Sequence, residues 1–356
     1  MCRAYAGSVA RILVLGGSWF LGAAIVETAL VDRVDITTFR RGRTGVDVEG
    51  VRSVRGDRAN CDDVRRLAAV GPWDAVIDTS SYVPRETLAI ARALEPVAGR
   101  YALVSSVSVY CGWPVEVLSD ESAVLDCPAD AGPDFGYDAD PGPRRYGFGK
   151  AGCERAVQEV FGEDRSILLR PGVILGPREY IGRLVWWLQR MRRGGRVLAP
   201  GRRDRAIQPV DVRDVAAFTL HAAGNGLAGS FNVTALPRDT MGDLLMTCQQ
   251  ASGGHADLEW VTDEEWLAAQ GIRQWTELPL WRTYNGTWAV DSRRAREAGF
   301  APRPLGETVT DTWAWLAGGG EAIEHTRAGQ LGITPDRERT ILRLWDAYQF
   351  DHCGSQ

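Results

Sequence analysis

Tyr146 and Lys150 stand four residues apart in Tyr146-Gly-Phe-Gly-Lys150. On a helix that spacing puts a phenol and an ammonium on one face. A phenol alone ionises at about pH 10 and is a poor acid–base group at neutral pH. A neighbouring ammonium favours the phenolate and lowers that value. A displacement of ~3 units corresponds to roughly 4 kcal/mol of electrostatic work. Composition sharpens the pattern. Lys150 is the only lysine in a chain with forty arginines. With nine tyrosines in 356 residues, a lysine placed at random would fall four places after one about 2.5% of the time. Arginine cannot replace a compact, tunable ammonium. The third member of the set is Ser106, in Ser105-Ser106-Val107-Ser108. A hydroxyl there can bond a substrate carbonyl or alcohol and orient it for hydride transfer. Ser105 and Ser108 compete with it on position alone.

A second group of residues suits a dinucleotide. Gly16, Gly17, Ser18, Trp19, Phe20, Leu21 and Gly22 follow a short apolar run and open a helical one. In such a turn glycine lets backbone N–H groups approach a pyrophosphate, which the helix N-terminus stabilises. Trp19 occupies the place of the usual middle glycine, so the loop must differ from the common shape. After the second strand, sites that prefer NAD carry an acid for the ribose hydroxyls. Here stand Arg40 and Arg41. Arginine suits a 2′-phosphate through bidentate, charge-assisted bonds. NADP(H) is therefore favoured and NAD(H) is the alternative. Asp57 is placed to reach the adenine amino group or to cap a turn.

These residues need a scaffold, and the chain supplies an alternating one. Strands are predicted over 11–15, 35–39, 51–54, 74–78, 101–105 and 166–170, from short apolar and β-branched runs. Helices are predicted over 21–30, 61–70, 86–94 and 147–161. Alternation of this kind means an α/β fold, a Rossmann-type doubly wound parallel sheet with helices on both faces. Ligands bind beyond the carboxyl ends of such strands. Arg58, Thr79, Ser80, Ser81, Ser105, Pro171 and Val173 lie there and join the cofactor-binding set. After about Pro171 the alternation becomes irregular, and ten of the thirteen tryptophans follow. The expected division is a dinucleotide-binding domain over 1–170, to which parts of 171–235 return. A smaller substrate-binding region is expected over 171–320 and a helical tail over 321–356.

Together these motifs resemble the short-chain dehydrogenase/reductase superfamily in its extended, NAD-dependent epimerase/dehydratase-like form. The resemblance runs from Arg11 to about Val233. It also rests on Gly56-Asp57, Val109-Tyr110, Arg170-Pro-Gly, Gly176-Pro177, Gln208-Pro-Val-Asp-Val-Arg-Asp214 and Gly229-Ser-Phe-Asn232. It implies Ser106 as the catalytic serine, Tyr146 as the acid/base and Lys150 as its partner. The turn Gly16-Gly17…Gly22, with Asp78-Thr-Ser-Ser-Tyr82, is similar to an atypical GGxxxxG subgroup. That subgroup is loosely labelled isoflavone-reductase-like or chloroplast stem-loop RNA-binding-like. Many of its members carry arginine where this chain has Trp19. Sugar-nucleotide dehydratases of the superfamily carry Asp-Glu after the catalytic hydroxyl residue. Val107-Ser108 stand there instead, which disfavours water elimination. Dimerisation through the helix carrying the tyrosine is common in the family and is expected here.

Substrate contacts are expected from Tyr82, Ser108, Arg178, Arg183 and Gln208. Residues 178–205 hold nine arginines against Glu179 and Asp204. In related enzymes this region meets a nucleotide diphosphate, and arginines among aromatics also suit RNA. Residues 112–145 form a long acidic loop, rich in Pro and Gly, expected to lie over the site as a lid or specificity loop.

The chain carries 41 basic and 46 acidic side chains, net −5, and is 45% hydrophobic. That excludes disordered and low-complexity classes and argues against a nucleic-acid partner. Seven scattered cysteines and four dispersed histidines make neither a disulfide framework nor a metal site. Residues 12–26 are uncharged and follow Arg3 and Arg11, but Gly16-Gly17 and Trp19 fit the nucleotide turn better than a signal peptide. No membrane span is expected and the location is read as cytoplasmic. The expected activity is an NAD(P)(H)-dependent oxidoreductase acting on a small carbonyl or alcohol, nucleotide-linked or secondary-metabolite-like. The alternatives are a redox-neutral nucleotide-sugar epimerase retaining NAD, and a non-catalytic RNA-binding or scaffold protein on the same fold.

Overall fold

A computed structural model describes residues 10–43, 47–138, 144–321 and 325–353, with the backbone alone at His352 and Cys353. Cys2, Arg3 and the stretch 139–143 of the acidic loop lie outside the described residues. The chain divides into two compact units. One comprises Met1–Ile174, Pro209–Ala235 and Asn285–Arg303; the other comprises Leu175–Gln208, Leu236–Tyr284 and Pro304–Gln356.

The first unit is built on a seven-stranded parallel sheet. Its strands are β1 (Arg11–Leu15), β2 (Asp35–Arg40), β3 (Arg52–Arg55), β4 (Trp73–Asp78), β5 (Ala98–Val104), β6 (Ser166–Pro171) and a seventh, Gly229–Val233. From one edge the order is Gly229–Val233, β6, β5, β4, β1, β2, β3. The order reverses direction between β1 and β4, so the Rossmann-type doubly wound topology is present. The strand interiors of β1, β4, β5 and β6 are buried almost throughout, because helices cover both faces.

Four helices lie between the strands: α1 (Phe20–Val31), α2 (Cys61–Ala68), α3 (Pro84–Leu94) and α4 (Arg144–Phe161). One layer holds α2 beside α3 and α3 beside α4. Its core joins Leu67, Ile90, Leu94, Val157 and Phe161 to Leu13, Val76, Leu103 and Leu168 of the strands. Each such aliphatic side chain contributes roughly 1.5–3 kcal/mol by leaving water. On the other face α1 packs against the helix Val212–Gly224. The predicted strands and helices of this unit are all found, with ends moved by no more than three residues, whereas the tail expected to be helical over 321–356 is α-helical, among the described residues, only over Pro335–Cys353. The largest shifts are at α4, which starts at Arg144 and so takes Tyr146 into its first turn, and at β5, where Ala98 joins the ladder opposite Trp73.

In the second unit the strands Gly195–Pro200 and Ala256–Val261 pair in parallel. The helix Met241–Ser252 packs on both Arg183–Arg193 and Leu305–Ala317. The carboxyl-terminal helix Pro335–Cys353 packs on the strand Gly195–Pro200. Among the described residues, no helix is long and apolar enough to cross a membrane.

Candidate active site

The turn after β1 is as crowded as a nucleotide loop requires. Gly16 and Gly17 have φ of 108° and 94°, a region that L side chains rarely enter. A Cβ at Gly16 would lie 2.5 Å from Thr79 Oγ1, and one at Gly17 would lie 2.9 Å from Thr38 Cγ2. Trp19 is the N-cap of α1, in extended geometry, and its own side chain makes no capping hydrogen bond. Phe20 follows at φ 37°. With no glycine there, the turn enters the helix through a strained residue. Thr79 Oγ1 donates to Leu15 O at 3.0 Å, tying the end of β4 to the end of β1 directly before Gly16.

At the end of β2, Arg40 is buried and pairs with Asp47, which also holds Arg55, while Arg41 is exposed. Hydrogen bonding from Arg40, with the Arg55 charge beside it, holds the Asp47 carboxyl below the usual range. Beyond β3, Asp57 accepts from Ala59 N at 3.0 Å, the turn-capping role.

Arg58 turns inward. Its guanidinium donates to both carboxylate oxygens of Asp78, at 3.1 and 2.9 Å, and to Ser80 and Ser81 at 2.9 and 3.1 Å. Tyr101 donates to the same carboxylate at 2.6 Å. Asp78 is fully buried. Burial works to raise its pKa, and the Arg58 charge with the hydroxyl donors outweighs that, holding it at about 2. Arg58, Ser80 and Ser81 are thus members of one hydrogen-bonded hub beneath the strand ends.

Tyr146 is 42% exposed and Lys150, one turn on, is 3% exposed. Lys150 Nζ donates to Val104 O at 2.9 Å, at the end of β5. It lies 5.9 Å from the Tyr146 ring centre and 4.6 Å from that of Tyr82. Ser106 caps the short helix Val107–Val109, accepting from Ser108 N at 3.1 Å. Ser105 Oγ is buried with no hydrogen-bond partner.

What brings these loops to α4 is two glycines between the tyrosine and the lysine. A Cβ at Gly147 would collide with the Ser108 carbonyl oxygen, and one at Gly149 would lie 2.8 Å from that of Tyr82. Sequence reasoning passed over both glycines. It also passed over Glu154, one turn beyond Lys150 on the same face. Glu154 forms a buried, two-pronged ion pair with Arg170 of β6, at 2.9 and 2.6 Å. Arg170 donates to Tyr110 OH at 2.9 Å, and Tyr110 to Asn232 at 2.7 Å. The i, i+4, i+8 series 146, 150, 154 was the available signal.

The acidic loop is not a free lid. Leu118, Leu125, Cys127 and Ala131 are buried with Val109, Tyr110 and Ala151 of the site's own elements. Asp120 accepts from Asn232 N at 2.7 Å, its pKa raised by burial. Asp126 pairs with Arg155 at 2.8 Å. The alternating apolar residues within an acidic stretch make it part of the core. Its far end does reach the tyrosine helix, where Phe135 and Tyr137 pack on Phe148 at 5.8 and 5.6 Å.

The NAD dependent epimerase/dehydratase family matches residues 12–234, which take in every element just described from β1 to the seventh strand. The chain belongs to that family. The chloroplast stem-loop binding protein of 41 kDa b of Arabidopsis thaliana is 25% identical over 264 residues, 70% of this chain and 65% of that one. The 2′-dehydrokanamycin reductase of Streptomyces kanamyceticus is 30% identical over 167 residues, 46% and 43% of the two chains. The chain thus spans two thirds or less of the lengths of these relatives. Among solved structures, the Thermus thermophilus UDP-glucose 4-epimerase in complex with NAD superposes with a TM-score of 0.59. That match is 20% identical and covers 86% of this chain and 99% of the other.

Family membership frames the remaining candidates. Pro171 ends β6, and Val173 accepts from Val210 N at 2.8 Å. Arg178, Arg183 and Gln208 belong to the second unit. Gln208 is buried, and Arg183 holds Glu179 at 3.2 Å and stacks 5.3 Å from the Trp275 ring. Five of the nine arginines in the stretch 178–205 pair with carboxylates. Arg190 binds Glu338 at 2.9 Å, Arg196 binds Glu259 at 2.9 Å, Arg202 binds Asp204 at 2.7 Å, and Arg205 pairs with Glu264. The carboxylates come from residues up to 148 positions away. The run that looked uniformly basic in sequence is therefore partly neutralised in space. Among the described residues, no cluster of His, Cys, Asp and Glu could hold a metal ion.

Proposed function

We propose that the protein is a reductase or dehydrogenase that prefers NADP(H) and acts on the carbonyl or alcohol of a small, nucleotide-linked or secondary-metabolite-like molecule. The observation that carries this reading is the chain's single lysine, buried beside Tyr146 with its ammonium bonded only one strand end away, to Val104. A buried charge costs several kcal/mol unless it is paired and hydrogen-bonded, so a chain that otherwise uses arginine keeps its one lysine at an expensive position.

The residues fit a nicotinamide dinucleotide. The Gly16-Gly17 turn and the amino end of α1 suit its pyrophosphate, Arg40 and Arg41 a 2′-phosphate, Asp57 the adenine, and Lys150 with the unpartnered Ser105 hydroxyl the ribose and nicotinamide side. When bound, that group supplies or accepts the hydride. Tyr146 gives its hydroxyl proton to the substrate oxygen in reduction and takes it back in oxidation. Lys150 keeps the phenol acidic enough to do so. Ser106 donates to the same oxygen and holds it in place. We assign cofactor binding to the first unit and substrate contacts mainly to the second. The named activity of the Streptomyces relative supports reduction, and Val107-Ser108 offer no acid for dehydration.

The test begins with release and identification of any nicotinamide cofactor from the purified protein, then fluorescence titration with NADPH and NADH. Empty protein that binds NADPH more tightly is the expected result. Tightly retained NAD⁺ would replace the reading with a redox-neutral epimerase. Tyr146→Phe is expected to lower turnover by about 10²–10⁴-fold and to leave cofactor affinity unchanged; undiminished turnover would remove Tyr146 from the mechanism.

A further inference from the structure

The ring nearest the Lys150 ammonium is not that of Tyr146. It is Tyr82, whose centre lies 4.6 Å from Nζ against 5.9 Å for Tyr146. The two rings are 6.5 Å apart and inclined at 43°. Tyr82 is 56% exposed, yet its backbone is fixed on both sides. Ser81 before it is bonded to Asp78 and Arg58 in the buried hub. Pro84, two residues on, opens α3. Its own carbonyl oxygen rests against Gly149, where a Cβ would approach to 2.8 Å. The backbone that carries the ring is therefore packed against the same helix that carries the lysine.

We propose that Tyr82 is a positioning residue, whose ring face holds the Lys150 ammonium in register with the Tyr146 phenol. The inference rests on the reading of Tyr146 and Lys150 as the acid–base pair. The chemistry favours an aromatic face at this place. A cation within about 6 Å of a ring centre is attracted by the ring's quadrupole. A carboxylate there would attract the ammonium more strongly, but would cancel the positive potential that Tyr146 needs. The ring restrains the lysine and leaves its charge intact. With one N–H committed to Val104 O, the ring limits where the other two can point.

Because the chain has one lysine, protein grown with ¹³C-lysine yields a single set of Cε–Hε signals, all from Lys150. In the wild type the ring current of Tyr82 is expected to displace them upfield of free lysine. Tyr82→Phe keeps the ring and is expected to keep the displacement, whereas Tyr82→Leu loses most of it. In turnover assays Tyr82→Leu is expected to lower kcat about two- to five-fold with KM unchanged, and Phe to restore it. An unchanged signal in the Leu protein overturns the proposal, as does equal loss in Phe and Leu. A rise in KM with kcat intact overturns it too, making Tyr82 a substrate contact. The spectra need no turnover. A chain that reduces nothing still answers the question of Tyr82, and failure of the catalytic reading is thereby kept apart from failure of this one.

Discussion

The arginine pair after β2 illustrates how a neighbour rewrites a residue's chemistry. Read as letters, Arg40 and Arg41 are two cations at a ribose-binding end. In space Arg40 is already engaged by Asp47, which also holds Arg55. The carboxylate competes with a 2′-phosphate for Arg40 and adds repulsion of its own. Asp47→Asn is therefore expected to improve NADPH affinity about two- to five-fold, the scale of a half-exposed ion pair, and to leave NADH nearly unaffected. Paired titrations check it. Equal change for both cofactors would mean that Arg40 does not read the phosphate. No sequence rule finds Asp47, because it lies seven residues beyond the end of its strand.

At the scale of elements, α4 is the part on which the site depends. Its apolar spacing was legible, and so were Tyr146 and Lys150. The closeness of its approach was not, because it depends on what stands opposite Gly147 and Gly149. In an ordinary helix Gly→Ala stabilises by up to about 1 kcal/mol. At Gly147 the new methyl meets the Ser108 carbonyl, so the sign reverses. Gly147→Ala is expected to destabilise by about 1–3 kcal/mol and to cut turnover by moving Ser108 and Ser106 away from Tyr146. Urea unfolding followed by tryptophan fluorescence measures the first effect. Stabilisation instead would mean that the loop yields at no cost. The acidic loop carries the same lesson: its composition suggested a lid or specificity loop, and its apolar residues Leu118, Leu125 and Cys127 are buried in a core cluster.

For the molecule as a whole, the buried hub ties stability to pH. Asp78 titrates at about 2 in the folded chain and at about 3.9 unfolded. A depressed carboxylate stabilises the fold above the unfolded value, and that contribution is lost as pH falls from about 4 to 2. Its size is about 2.6 kcal/mol. Asp78→Asn leaves Arg58 buried without its partner, so it is expected to cost about 3–5 kcal/mol at pH 7. The gap to wild type should narrow between pH 4 and 2. Urea midpoints across that range check it, and a gap independent of pH would show that the carboxylate charge is not what holds the hub.

The sequence by itself determined the doubly wound sheet, the order of its strands and helices along the chain, the glycine turn and the one-turn spacing of Tyr146 and Lys150 on a helix. These follow from periodicities and spacings that lie within one element or at its end. The tertiary structure alone decided which charges remain available for a ligand. Arg58, Arg170, Arg190 and Arg205 are cations in the sequence and ion-pair members in the fold. It also decided that Tyr82 rather than Tyr146 is the ring closest to the lysine. The physical reason is common to both. Electrostatic and van der Waals energies depend on distances of a few ångströms between groups tens of residues apart, and those distances exist only once the sheet has brought its strand ends together.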